Sequence, residues 1–293
     1  MSFIPNVIPG SRRRKPRLAA TVAGIRTRMD IDVLVPTRNR PTELATTLAG
    51  LAAQDGPTFR VIVSDQSDET PSYRDAPAEA MIRQLRRTGR PVATHTHLPR
   101  RGLAEHRDSL LRRATARLVL FLDDDVWLEP GTLRRLHSAM SVLRCGFVGC
   151  AMQGLSYLDD SRPDELATYQ EWCGPVQPER ITPDVPEFDR WRLHNAANLV
   201  HLAERLDIRP GEWRAYRVAW IAGCVLFDRA KLLACGGFDF WPALPPDHAG
   251  EDVAAQWRVL ARYGGAGVLP SGAIHLESAT TVPDRRVQAV DVL

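Results

Sequence analysis

From Ile31 onward the chain switches repeatedly between two hydrophobic rhythms. Ile31–Val35, broken only by Asp32, and Leu118–Leu122 are apolar runs, as expected of strands buried on both faces. Phe59–Val63 and Pro91–His95 give two further strands. Helical spacing fills the gaps. Pro41–Gln54 starts on a proline suited to a first helical position and sets Leu44, Leu48 and Leu51 on one face. Ala78–Arg87 clusters Met81, Ile82 and Leu85, and Leu103–Ala116 carries Leu103, Leu110, Leu111 and Ala114. The order βαβαβαβ predicts an α/β fold: an open, mostly parallel sheet flanked by helices. Ligands of such sheets sit beyond the carboxyl ends of the strands. Pro36–Arg40, Ser64–Asp68 and Asp123–Asp125 should therefore share one edge.

A helix over Thr132–Leu143 and a strand over Phe147–Ala151 follow. Residues 153–218 are irregular and proline-containing, with one helix expected near Arg190–Leu206. Order returns with a strand over Ala219–Phe227, a short helix Ala230–Ala234, the turn Gly236-Gly237 and a helix Glu251–Tyr263. That helix turns Val253, Trp257 and Leu260 inward and stops at Gly264. Ala273–Leu276 reads as a last strand. The expected organisation is a leader (1–30), one domain (31–277) and a tail (278–293) that is loose or folds back as a lid. Within the domain, residues 31–126 form the nucleotide-side half and 127–277 the acceptor-side half, which holds the insertion 153–218.

With 44% hydrophobic residues in 293, the chain can bury a large core. Its formal charge of +3 is unevenly placed, because residues 1–30 hold seven basic side chains and one acid, leaving the rest at −3. The body is therefore not a basic nucleic-acid binder. Residues 11–17 read as a solvated leader, or alternatively as a polybasic arm for peripheral contact with an anionic membrane, each charge adding about 1 kcal/mol. No apolar run approaches the roughly 18 residues of a membrane helix, and no apolar signal opens the chain, so a cytoplasmic location is expected. The five cysteines form no CxxC pair. Cys145, Cys150, Cys224 and Cys235 read as small buried hydrophobes.

Asp123-Asp124-Asp125 ends a buried strand. Adjacent carboxylates repel unless a cation or several donors sit among them. Hard oxygen ligands of this kind suit Mg2+ or Mn2+, with substrate phosphates completing the shell. A solvated acidic loop is the plainer alternative. Other pieces stand in a set order: VLVPTRNR (33–40), VIVSDQS (61–67), GLAEHRD (102–108), LFLDDDV (120–126), the GGFD turn at 236–239, Gly250-Glu251-Asp252, and His275. Together they resemble the family 2 glycosyltransferases of the GT-A fold over most of residues 31–277.

The resemblance implies a metal-dependent, inverting, non-processive transfer of one sugar from a nucleotide diphosphate donor, a UDP-sugar favoured, to an acceptor hydroxyl. Asp125, Asp123 and His275 would hold the Mn2+ or Mg2+. Pro36, Thr37, Arg38, Asp65, Arg107, Asp123 and Asp124 would bind the donor nucleotide, with Asp65 on the base. Asp252 would be the general base, although an acid at a helix N-terminus is also plain capping and its pKa is lowered by the dipole. Glu251, Trp220, Gly223 and Trp191 are acceptor-side candidates. The base-contacting segment Ser64-Asp65-Gln66-Ser67 is atypical for the family, which leaves thymidine and guanosine donors open. His95 and His97 share a strand face but lack two further ligands for zinc. His194 and His201 read as one helix face. A binding protein without turnover and a sugar-phosphate nucleotidylyltransferase are the competing readings.

Overall fold

Every residue of β1 (Ile31–Thr37) is buried, which only a central strand allows. The computed structural model describes residues 29–282 and 284–292, so the basic leader expected over 1–30 lies almost wholly outside the described residues. On one side of β1 runs β2 (Phe59–Asp65), then β3 (Val92–Thr96); on the other runs β4 (Leu118–Leu122). These four strands are parallel, with Ile31 opposite both Phe59 and Leu118. Helices α1 (Pro41–Ala52), α2 (Ala76–Arg87) and α3 (Leu103–Arg113) make the crossovers. Leu44, Leu48 and Leu51 of α1 are fully buried in one core layer, and Leu110 and Leu111 of α3 sit in the layer on the opposite face.

Beyond β4 the sheet changes sense. After β5 (Val126–Leu128) come α4 (Thr132–Leu143), β6 (Phe147–Gly149) and β7 (Gln153–Gly154). The insertion then contributes α5 (Pro163–Leu166), α6 (Asn198–Arg205) and β8 (Arg214–Tyr216). The chain closes with β9 (Cys224–Asp228), α7 (Arg229–Ala234), α8 (Glu251–Tyr263), β10 (Gly265–Leu269), β11 (Ala273–His275) and α9 (Ala289–Val292). The large sheet has the order β3-β2-β1-β4-β9-β6-β10-β8, in which β9 is antiparallel to both of its neighbours. A second sheet, β5-β11-β7, stands beside it. No helix among the described residues is long and apolar enough to cross a membrane.

Three expectations need correction. The helix expected over Arg190–Leu206 is a 3-10 turn over Pro186–His194 followed by α6. Asn195 is extended and Ala196 takes a left-handed φ of 49°, which ends one helix before the next begins. His194 and His201 consequently share no helix face: His194 meets the Tyr216 hydroxyl at 3.1 Å, His201 the Leu158 carbonyl at 2.8 Å. The strand expected from Ala219 starts only at Cys224, because Gln256 takes both the N–H and the C=O of Ile221 at 2.8 Å and Gly223 turns left-handed.

The third is β10, a strand whose sequence, GAGVL, reads as the aftermath of a helix stop. Its glycines are required by close approach. The ring of Phe147 lies where a side chain at Gly265 would go, and the ring of Tyr216 does the same at Gly267. Gly267→Ala is expected to cost about 1–3 kcal/mol, the range for overpacking a filled core. A thermal melt of the variant, compared with an Ala substitution at open Gly174, checks this.

Candidate active site

The carboxyl ends of the parallel neighbours β1 and β4 lie side by side where the strand order reverses, with β2 and β3 following outward on one side of β1 and β4 joining on the other. Such a switch point opens a crevice. Here it holds a cavity of about 780 Å3 whose walls include Thr37, Asp123, Asp124, Asp125, Asp252 and His275.

The three aspartates face three different partners. Asp123 accepts from Arg107 Nη2 at 2.9 Å. Asp124 is buried and accepts from Thr37 Oγ1 at 2.6 Å and Arg40 Nη1 at 3.1 Å. Burial pushes its carboxyl up to about 7, against the lowering pull of Thr37 and Arg40. Asp125 accepts from Arg40 Nη1 at 2.6 Å through the same Oδ2 that stands 3.5 Å from His275 Nε2. Burial would raise Asp125, but His275 and Arg40 outweigh it and hold the carboxyl below its usual value. Asp125 in turn raises His275. Register explains how His275 arrives from so far along the chain. β11 pairs antiparallel with β5, setting His275 opposite Val126, and the Leu276 N–H donates to the Asp125 carbonyl at 2.9 Å.

Asp252 enters from α8, whose first turn follows Gly250 in a left-handed conformation. It is half-buried. Burial, then the neighbouring Glu251 charge, push its carboxyl up to about 7, with Arg107 opposing. The lowering expected from the helix dipole is outweighed. Arg107 is 5% exposed and bridges the two halves, its Nε on Glu251 at 2.9 Å and its Nη2 on Asp123. Its guanidinium is thereby engaged by protein carboxylates, and the Glu251 carboxylate is taken by Arg107.

Pro36 and Arg38 line the cavity. Arg38 also pairs with Asp68 at 3.0 Å. Asp65 does not line it: fully buried, it accepts from the N–H groups of Ser67 and Ser72, both at 2.6 Å, and so closes its own loop. Gly223 lies behind the wall, its carbonyl accepting from the Asp123 N–H at 2.9 Å. Trp220 reaches the cavity, whereas Trp191 stacks on Trp220 with ring centroids 6.3 Å apart. His97 lies just past the end of β3, so it shares no strand face with His95, and it is tied to Glu105 at 2.9 Å.

Among the cavity residues that the motifs do not single out are Arg40, Gln66 and His106. All three sit inside the motif segments, so proximity to a motif was their only signal. The sequence allows a tail that is loose or one that folds back as a lid. It folds back, with Ala249 N–H donating to Val287 at 3.0 Å and Ala289 N–H to Ala249 at 2.8 Å, while Arg40 Nη2 donates to the Ala279 carbonyl.

The donor set fits a hard divalent cation in a limited way. Among the described residues no three His, Cys, Asp or Glu side chains converge for metal binding. Asp125 Oδ2 and His275 Nε2, however, are spaced as two neighbouring ligands of one ion, and such ions commonly take the remaining oxygens from substrate phosphates and water. Asp123 points instead at Arg107.

Comparison with known proteins agrees with this geometry. No curated protein sequence matches the chain. Many solved structures share the fold, among them the following three. Staphylococcus aureus TarS 1-349 is 17% identical, with 84% of this chain and 60% of that chain covered at a TM-score of 0.53. The mannosyltransferase PcManGT from Pyrobaculum calidifontis, in complex with GDP-Man and Mn2+, is 18% identical over 87% of this chain and 59% of that one, TM-score 0.53. GalNAc-T7 with UDP, GalNAc and Mn2+ is 14% identical over 84% and 43%, TM-score 0.53. The chain thus spans less than two thirds of the length of these neighbours. The family described as Glycosyl transferase family 2 matches residues 32–214. With the parallel sheet, the switch-point cavity and this match over more than half its length, the chain belongs to glycosyl transferase family 2.

Proposed function

We propose that the chain transfers one sugar from a nucleoside diphosphate sugar, a uridine diphosphate sugar favoured, to an acceptor hydroxyl with inversion at the anomeric carbon. The observation that carries this is the convergence of Asp125, His275 and Asp252 on one cavity. Neighbours of the same fold contain UDP-GlcNAc, GDP-Man with Mn2+, and UDP with GalNAc and Mn2+. Asp125 and His275 would hold Mn2+ or Mg2+ here. Such a cation supplies charge neutralisation at the departing diphosphate.

The protein's own groups do the rest. Five arginines line the cavity, and Arg285 on the tail is the one that pairs with no carboxylate among the described residues, which suits it to a diphosphate oxygen. Asp252 receives the acceptor's proton as the hydroxyl oxygen attacks the anomeric carbon. The nucleoside diphosphate leaves from the opposite face. Arg107 fixes the base helix against the strand end that meets the donor.

Asp125→Ala tests the reading in calorimetry. The wild type is expected to bind UDP more tightly with Mn2+ than with chelator, and the variant to bind it equally weakly in both. Wild-type, metal-responsive affinity in the variant would overturn the assignment.

A further inference from the structure

A second lobe, of about 330 Å3, opens from the cavity across Met152, Ala222 and His275, which line both spaces. Met152 follows β6 and Ala222 precedes β9, so the lobe lies on one side of β4. The nucleotide candidates Pro36 and Thr37 end β1, on the other side. A molecule in the lobe therefore meets Asp125 and His275 from the side away from the nucleotide.

The insertion and the end of β11 build the far wall. Tyr157, 47% exposed, lines it together with Gly154, His194 and Glu277. The Glu277 carboxylate and the Tyr157 ring fill the space that a side chain at Gly154 would need, so both close over bare backbone. Glu277 holds a left-handed φ of 58°, uncommon for a residue with a Cβ, and such outliers gather at ligand clamps. Its Oε1 accepts from Ser156 Oγ at 2.6 Å, which leaves most of the carboxylate's acceptor capacity unused.

Charge separates this lobe from the donor cavity. Five arginines line the cavity, whereas no arginine or lysine among the described residues lines the lobe. His194 adds no charge, because burial pushes its imidazole down to about 4. His275 is turned to Asp125, 3.5 Å away. An anion in the lobe would face the Glu277 carboxylate with nothing to offset it, and like charges set together exclude a wrong partner. A sugar ring has an apolar C–H face and a hydroxyl edge, which suit an aromatic ring and a carboxylate acceptor.

We propose that this lobe holds the acceptor, and that the acceptor is an uncharged pyranoside rather than a phosphate-bearing one. One face of its ring lies on Tyr157, and a hydroxyl other than the attacking one donates to Glu277. The inference rests on the transferase reading above and adds the class of acceptor to it.

Calorimetry of the full chain saturated with UDP and Mn2+ tests it. The probes are the methyl glycosides of glucose, galactose, mannose and N-acetylglucosamine, each beside the 6-phosphate of the same sugar. At least one glycoside is expected to bind, about tenfold or more tightly than its 6-phosphate. Tyr157→Ala, on an exposed turn, should weaken that glycoside about tenfold while UDP binds as before. Glu277→Gln conserves shape and removes the charge, so it should narrow the preference over the 6-phosphate. The inference is overturned, and the donor reading left standing, by any of three results: no glycoside binds the UDP-loaded chain, a 6-phosphate binds as tightly as its glycoside, or both variants match the wild type. A wild type that does not bind UDP with Mn2+ overturns both.

Discussion

Asp252→Asn is expected to keep donor binding and lose transfer by about 10²–10⁴-fold, the contribution of a positioned general base. The substitution conserves shape and leaves the Arg107–Glu251 pair untouched, so α8 should stay where it is. What it removes is a proton acceptor tuned by its setting. Burial and Glu251 push Asp252 up to about 7. Only the ionised form can take the acceptor's proton, so wild-type turnover should climb with pH and level off above about 7. The variant's residual rate should lack that limb. Initial rates across neutral pH, beside calorimetry with the donor, check both parts. Unchanged turnover in the variant would remove Asp252 from the role. The same raised pKa has a cost in stability. The folded chain holds a proton that the unfolded chain has already released, so stability falls as pH rises from the ordinary 3.8 toward about 7. The Asn variant should escape that loss and be at least as stable as the wild type in mild alkali.

The parts of this fold that were legible in sequence are those where a residue's own side chain does the packing. Leu118–Leu122 is apolar throughout, and Ile31–Val35 is apolar but for Asp32, because both faces of β1 and β4 are covered, and that pattern survives without any knowledge of neighbours. β10 was not legible, because its packing atoms belong to Phe147 and Tyr216 on other strands. Ala219–Ile221 looked like a strand because apolarity does not reveal that Gln256 will intercept the backbone. The same division runs through the site. Motif order placed Asp125, His275 and Asp252 around one cavity, since register and topology determine where strand ends and helix starts meet. Side-chain direction was beyond reach. Whether Asp65 faces a ligand or its own loop turns on the Ser72 N–H, seven residues on. Arg40 lay in a quoted motif, yet nothing in the sequence says that its guanidinium lies against Asp124 and Asp125.

Arg107→Met should be the most destabilising single change at the site, by about 3–5 kcal/mol, the range for stripping one partner from a buried ion pair. Met retains much of the stem's packing, including contact with the Phe121 ring, over which the guanidinium now sits at 5.6 Å. The loss is therefore chiefly electrostatic. Glu251 would be left 3% exposed without its cation, and Asp123 without its only guanidinium among the described residues. Asp252 would also feel Glu251 unopposed, so the pH at which turnover levels off should move upward. Denaturant unfolding measures the first effect. The double variant Arg107→Met/Glu251→Gln separates its causes. Removing the stranded charge should restore part of the stability if repulsion and desolvation dominate, whereas lost packing would leave the double variant no better than the single. A single variant within about 1 kcal/mol of wild type would mean that Asp123 and Glu251 rehydrate freely, and that Arg107 does not hold the base helix against the donor strand.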